Sequence, residues 1–223
     1  MTSELLSTED FSGESCPLCA SSAVAFYHSD ERRDYIRCAN CGLVFVPKPF
    51  HLAAQDEKAN YDLHENNPED QGYRMFLARL FDVLEPKLAP ASSGLDFGCG
   101  PGPTLSLMFA ERDHRMALYD VFYAPDRAVL EKRYAFITAT EVVEHLSAPG
   151  EVLDELWRLL EPKGWLGIMT KLVRDREAFA SWHYKNDPTH ICFFSRQTFA
   201  QLGTKWQASM EFVGADVVLF QKA

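Results

Sequence analysis

The sequence predicts an α/β fold in which a mainly parallel sheet carries helices on both faces, preceded by a small cysteine-bearing unit. Three observations predict it. From about Asp56 to the end, strand-type and helix-type hydrophobic patterns alternate. One of those strands runs into the glycine-rich turn Asp96-Phe97-Gly98-Cys99-Gly100-Pro101-Gly102 and then into a helix. Ahead of them, two CxxC pairs lie in one short segment.

Taken in order, Phe76, Leu77, Leu80, Phe81 and Leu84 fall at helical spacing, and Pro86 and Pro90 mark the exit of a helix over 69–88. Ser93 to Phe97 is a short strand ending in the glycine turn, and residues 104–111 form the helix after it. Arg115 to Tyr119 is a second strand closed by Asp120, and Ala135 to Ala139 a third. An amphipathic helix over 151–160 stops at Pro162 and Gly164, and Trp165 to Thr170 is a fourth strand. After a helix over 197–202, two strands at 208–213 and 216–221, joined at Gly214, supply an antiparallel pair. The chain divides into a flexible N-terminus (1–13), a ribbon-like segment (14–48), a helical lid or linker (49–90) and the main domain (91–223).

Bulk properties narrow the function. The 223 residues are 47% hydrophobic, enough to bury one α/β core with a small appendage. No uncharged run is long enough to span a bilayer, and the start of the chain lacks a basic region followed by an apolar one, so a cytoplasmic location is expected. The formal charge of −10 argues against a nucleic-acid substrate gripped through phosphates and leaves a small molecule as the expected one.

Cys16-Pro-Leu-Cys19 and Cys38-Ala-Asn-Cys41-Gly42 are separated by residues 20–37. Two such turns place four thiolates about one Zn²⁺, a closed site with no open position for catalysis. The expectation is a zinc ribbon, structural or recognitional in role. Cys99 and Cys192 have no matching pair and read as small buried residues.

A strand ending in Asp96 and continuing through Gly98, Cys99, Gly100 and Gly102 into a helix is a nucleotide-ligand loop, because the glycines let a ligand approach the backbone and the helix N-terminus. Asp96 is expected to order the loop amides, and Asp120 to accept hydrogen bonds from a ribose. With these go Phe136-Ile-Thr-Ala-Thr140-Glu141-Val-Val-Glu144-His145-Leu146 after the next core strand and Leu160-Glu-Pro-Lys-Gly164-Trp-Leu before the following one.

Together, in this order from about Asp56 to Ala223, these pieces resemble the class I S-adenosylmethionine-dependent methyltransferases. The resemblance implies a Rossmann-like sheet with S-adenosyl-L-methionine at the carboxyl ends of its strands and S-adenosylhomocysteine as product. Two departures stand out. Only residues 121–133 separate Asp120 from the next core strand, so the family's third strand is expected to be shortened or missing. The adenine is then held by apolar and aromatic contacts, with Val121, Phe122 and Tyr123 at hand. Ala135 stands where such proteins often carry Asp.

Methyl transfer needs an aligned nucleophile, and a base if that nucleophile carries a proton. His145, His183 and His190 are the candidate bases. His145 shares a helical face with Glu141 if a helix has begun there. His183 and His190 sit in the polar, aromatic stretch 182–190, where each has the alternative of bonding to backbone. Thr140, Glu141, Tyr73 and Arg74 complete the expected cofactor contacts, the last two from a lid helix. Two other functions stay open. One is an RNA methyltransferase whose ribbon grips RNA, marked by a basic stripe from ribbon to pocket. The other is a non-catalytic module that keeps S-adenosylmethionine as a ligand.

Overall fold

The computed structural model describes residue 11 and residues 13–63 and 66–223. Most of the expected flexible N-terminus, together with His64 and Glu65 of the lid segment, lies outside the described residues.

The ribbon comes first, as β1 (Val24–Ser29), β2 (Asp34–Cys38) and the short β3 (Val44–Phe45). Two helices follow, α1 (Ala54–Tyr61) and α2 (Gln71–Leu84). The main domain runs β4 (Ser93–Phe97), α3 (Thr104–Ala110), β5 (Arg115–Tyr119), β6 (Tyr134–Thr140), α4 (Pro149–Leu159), β7 (Leu160–Met169), α5 (Arg176–Ala180), β8 (Cys192–Phe193), α6 (Arg196–Trp206), β9 (Ser209–Val213) and β10 (Val217–Gln221).

Six of these strands form one sheet in the order β5-β4-β6-β7-β10-β9. The first four are parallel, and β10 is antiparallel to both neighbours. Strand alternation sends neighbouring side chains to opposite faces. Phe136 of β6 packs with Leu77, Leu80 and Phe109 of α2 and α3, whereas Ile137 beside it joins Leu153, Leu156 and Phe199 of α4 and α6. Both faces are therefore covered, as the sequence pattern requires.

No strand lies between β5 and β6 among the described residues. That interval holds an Asp120–Ala124 bridge and a 3-10 turn at Arg127–Glu131, so β5 is a sheet edge and the third strand is missing, as its short span required. The fourth core strand is longer than expected. It begins at Leu160, directly after α4, because residues 161–164 bulge between the Tyr134–Leu160 and Phe136–Trp165 pairings while the backbone on either side stays extended. Pro162 and Gly164 thus shape a bulge, and the helix has already ended at Leu159.

The tiny β8 has no counterpart in the sequence reading. It pairs with β3, so the ribbon sheet runs β1-β2-β3-β8 and its last strand comes from the main domain. Residues 14–48 and 91–223 consequently share a sheet and one continuous apolar core, in which Tyr35, Ile36 and Phe45 meet Phe179, Phe193 and Phe194. The first CxxC turn docks against the start of α4, where the Gly150 amide donates to the Pro17 carbonyl at 3.2 Å. A Cβ at Gly150 would collide with the Leu18 carbonyl oxygen.

Candidate functional site

The main cavity, about 760 Å³, opens at the carboxyl ends of β4, β5 and β6, on the side where the chain order reverses. Its floor is the turn after β4. Gly98 and Gly100 there have φ of +73° and +63°, a left-handed backbone that side chains resist. The Gly98 amide donates to the Tyr119 carbonyl at 2.7 Å, and the Gly100 amide to Asp120 Oδ2 at 3.1 Å. Asp120 Oδ1 also accepts from the amides of Phe122 and Tyr123, at 2.8 and 3.1 Å. A carboxylate has about four acceptor positions. Asp120 therefore ties the turn to the edge loop and keeps capacity for a ligand hydroxyl.

Gly98, Cys99, Gly100, Asp120, Val121, Phe122, Thr140, Glu141, Tyr73, His145 and His190 all line this cavity. Four other expected site residues do not. Asp96 is fully buried beneath the turn and, instead of ordering its amides, accepts from Ser106 Oγ and Thr138 Oγ1 at 2.9 Å each. Burial raises its pKa to about 6. Gly102 sits under the residue 66 backbone, where a Cβ would strike the Asn66 carbonyl oxygen. Arg74 turns to the other side of α2, in an ion pair with Glu111. His183 points out of the cavity and pairs with Lys171 Nζ at 3.0 Å. Gly102→Ala is accordingly expected to displace Asn66 and weaken ligand binding at the turn at least tenfold, as titration calorimetry would show.

The lid contributes more than the sequence suggested. His51, Leu52, Glu57, Tyr61 and Asn66 line the cavity from α1 and its flanks. The Tyr61 hydroxyl donates to Glu57 at 2.7 Å, and its ring meets His145 edge-on at 5.2 Å. At the edge loop, Tyr123 donates to Asp62 at 2.6 Å and fastens α1 over Phe122. The partners of α1 come from elements far along the chain.

At the far end of the cavity, β6 passes through Thr140 and Glu141 into a 3-10 turn, Val143–His145, so no α-helix begins there and Glu141 and His145 do not share a helical face. Glu141 has φ +53°, a strained conformation for a side-chain-bearing residue. Thr140 Oγ1, Glu141 Oε1 and Glu144 Oε2 are buried with no hydrogen-bond partner among the described residues. Burial raises Glu141 to about 8 and Glu144 to about 7. Tyr184 donates to Glu144 and lies 3.3 Å from Glu141 Oε2.

The stretch 182–190 divides its labour. Trp182 packs inward against Phe179 and Tyr184, whereas Asp187–His190 reach the cavity wall. His190 Nδ1 bonds to the Tyr184 carbonyl at 2.7 Å and His145 Nδ1 to the Thr189 carbonyl at 3.1 Å. A carbonyl only accepts, so each Nδ1 carries a proton. Burial lowers His190 to about 4, which keeps it neutral.

The ribbon grips this stretch. The Arg33 guanidinium donates to the carbonyls of Lys185, Asp187 and Pro188 at 2.7, 2.7 and 3.1 Å, and Lys185 pairs with Asp30 at 2.7 Å. In the ribbon itself, Cys16, Cys19, Cys38 and Cys41 bring their sulfurs within 4.8 Å of one another, with Cys16–Cys41 at 3.5 Å and Cys19–Cys38 at 3.6 Å. Tetrahedral coordination at a metal–sulfur distance of about 2.3 Å sets sulfurs about 3.8 Å apart, which this cluster fits. Cys99 and Cys192 are buried single thiols, and burial pushes the Cys99 thiol up to about 12, far from a nucleophile.

A second cavity, about 880 Å³, lies between ribbon and main domain. Arg37, Lys171, Arg174, Arg176 and Arg196 line it, and none of the five enters an ion pair among the described residues.

Residues 70–208 match a family model described as a methyltransferase domain. No curated protein matches the sequence. Among solved structures the chain is similar to the 1,6-didemethyltoxoflavin-N1-methyltransferase of Burkholderia thailandensis, with bound 1,6-didemethyltoxoflavin and S-adenosylhomocysteine. The TM-score is 0.52 at 17% identity, over 89% of this chain and 99% of that one. It is also similar to human N-acetylserotonin methyltransferase in complex with SAM (TM-score 0.53, 10% identity, 76% of this chain and 55% of that one). A SAM-dependent methyltransferase from Archaeoglobus fulgidus gives 0.51 at 16% identity, over 67% and 94%. At these identities the likeness is one of fold. Among the described residues no helix is long and apolar enough to cross a membrane.

Proposed function

This chain belongs to the methyltransferase-domain family, and we propose that its main cavity holds S-adenosylmethionine over the glycine turn and delivers the methyl group to a small-molecule acceptor at the His145–His190 wall. The observation that carries the reading is one cavity lined at one end by Asp120, a carboxylate with spare acceptor capacity, and at the other by His145 and His190. The residues between suit the methyl donor. Phe122 and Val121 suit an adenine, and the unpartnered oxygens of Thr140 and Glu141 an ammonium.

S-adenosylmethionine supplies a methyl carbon made electrophilic by sulfonium; the acceptor's lone pair bonds to that carbon as the carbon–sulfur bond breaks, its electrons staying on sulfur. The protein's part is alignment and exclusion of water, for which α1 and Tyr61 cover the cavity. His145 and His190 hold the acceptor's nucleophilic atom. The four ribbon cysteines suit a structural Zn²⁺, whose work is to hold the Arg33 grip on residues 185–188.

Titration calorimetry is expected to show binding of both S-adenosylmethionine and S-adenosylhomocysteine; absence of both would end this reading. Asp120→Ala is expected to weaken that binding by about 1–3 kcal/mol, since it removes the ribose acceptor and frees three amides. Unchanged affinity would mean that Asp120 does not face the ligand.

The basic second cavity favours another acceptor class, RNA held by the ribbon, against which the overall charge of −10 counts. Labelled S-adenosylmethionine incubated separately with a metabolite extract and an RNA fraction decides between them by which one gains label.

A further inference from the structure

We propose that Glu144, His145 and His190 form a second metal site, two imidazoles and a carboxylate for a divalent transition-metal ion at the acceptor end of the main cavity. The proposal rests on the reading of that cavity as the methyl-transfer pocket and names what the acceptor meets there.

The three residues each bring one donor atom within 4.8 Å of the others. A carboxyl and two imidazoles gathered this closely offer a cation a ready ligand set. Glu144 is fully buried; its Oε1 receives the Tyr184 hydroxyl, while its Oε2 has no hydrogen-bond partner among the described residues. A buried carboxylate oxygen without a donor costs folding free energy that a ligand can recover.

The imidazoles are oriented as ligands. Each donates Nδ1–H to a backbone carbonyl, His145 to Thr189 and His190 to Tyr184, the outer contact that fixes the orientation of a metal-binding ring. A proton acceptor for catalysis needs one such ring; two, beside a carboxylate, make a coordination set. Asp187 Oδ2 stands 3.8 Å from His190 Nε2, a further acceptor on the same side.

The frame is rigid before anything binds. The Ile191 amide donates to the Glu144 carbonyl at 2.8 Å and the Val46 amide to the Ile191 carbonyl at 2.9 Å, so the two segments and the ribbon are laced together by backbone. Arg33 fixes the intervening residues.

Two nitrogens and one oxygen suit Zn²⁺, Mn²⁺, Fe²⁺ or Co²⁺ and do not suit Ca²⁺ or Mg²⁺, which prefer all-oxygen sets. Three protein ligands leave open positions, and His145 and His190 face the cavity. The acceptor this arrangement selects is a hydroxyl-bearing molecule. Bound to the ion, its oxygen loses a proton to water more readily. That oxygen then bonds to the methyl carbon while the carbon–sulfur bond breaks and the electron pair stays on sulfur, giving a methyl ether, S-adenosylhomocysteine and the released proton.

Co²⁺ titration of the metal-stripped full-length protein tests this without using activity. Two equivalents are expected. One shows the thiolate-to-cobalt charge-transfer band of the cysteine cluster, and the other shows only weak ligand-field bands. His190→Ala and the more accessible His145→Ala should each lose the second equivalent and keep the first, and Glu144→Gln should weaken it at least tenfold. Saturation at one equivalent, or a second one that survives both histidine variants, would overturn the proposal. S-adenosylhomocysteine affinity measured on the same samples separates the two readings. Intact binding without a second equivalent removes the metal alone, whereas lost binding in the unmutated protein removes the methyl-transfer pocket itself.

Discussion

Arg33→Ala is expected to destabilise the fold by about 3–5 kcal/mol and to lower kcat by on the order of a hundredfold. The side chain is only 7% exposed and donates to three loop carbonyls and to the Tyr35 hydroxyl. Removing it strands the Asp187 and Pro188 carbonyls and leaves Lys185 only the longer contact from the Tyr35 hydroxyl at 3.3 Å. The loop it holds carries Asp187 and His190 to the cavity, so its loosening displaces the acceptor wall and leaves the glycine turn in place. A urea midpoint shift, a fall in kcat and near-constant S-adenosylhomocysteine affinity should therefore appear together. Arg33→Lys should rescue little, because one ammonium cannot span carbonyls that a planar guanidinium reaches at once. An unchanged midpoint would show that the grip contributes nothing.

Cys38→Ser is expected to act at the same place from the other end. A four-sulfur structural zinc site contributes roughly 10–16 kcal/mol of apparent binding free energy, more than the few apolar residues of β1–β3 can replace. The variant should lose one metal equivalent by elemental analysis and lose amide protection across β1 and β2 in hydrogen exchange. The larger sheet keeps its α2–α3 core, which holds no ribbon residue, and should remain folded. Activity should then drop to the Arg33→Ala level, since the ribbon's hold on residues 185–188 goes with it. A variant that keeps both its metal and its exchange protection would show that Cys38 is not a ligand.

Much of this architecture was legible in the residues themselves. Apolar spacing located α2, α3, α4, α6 and the strands from β4 to β10 apart from β8, because each buries a repeating face and periodicity records burial. The missing third strand was legible from length alone: residues 121–133 have no room for it. The glycine turn, Asp120 and the four cysteines were legible because backbone conformation and coordination chemistry restrict which residues serve.

Other features were not. Gln71–Leu84 carries Tyr73 and Arg74 side by side, yet only Tyr73 faces the cavity, since adjacent helical residues point about 100° apart. His183 and His190 look equivalent in the chain, and packing turns one out to Lys171 and the other in against Tyr184. Asp96 reads as a loop-ordering acid and is instead buried between Thr138 and Ser106.

The local signals thus determined, without any coordinates, the α/β class, the glycine turn and the cysteine set. Only the tertiary structure decided that β8 completes the ribbon sheet, that Arg33 holds the loop of His190, and that Glu144, His145 and His190 converge. These are contacts between segments far apart along the chain, bringing Arg33 to residues 185–188 and His145 to His190. A single sequence records the periodicity of each segment and carries no register between them; that register is set when the two sheets pack.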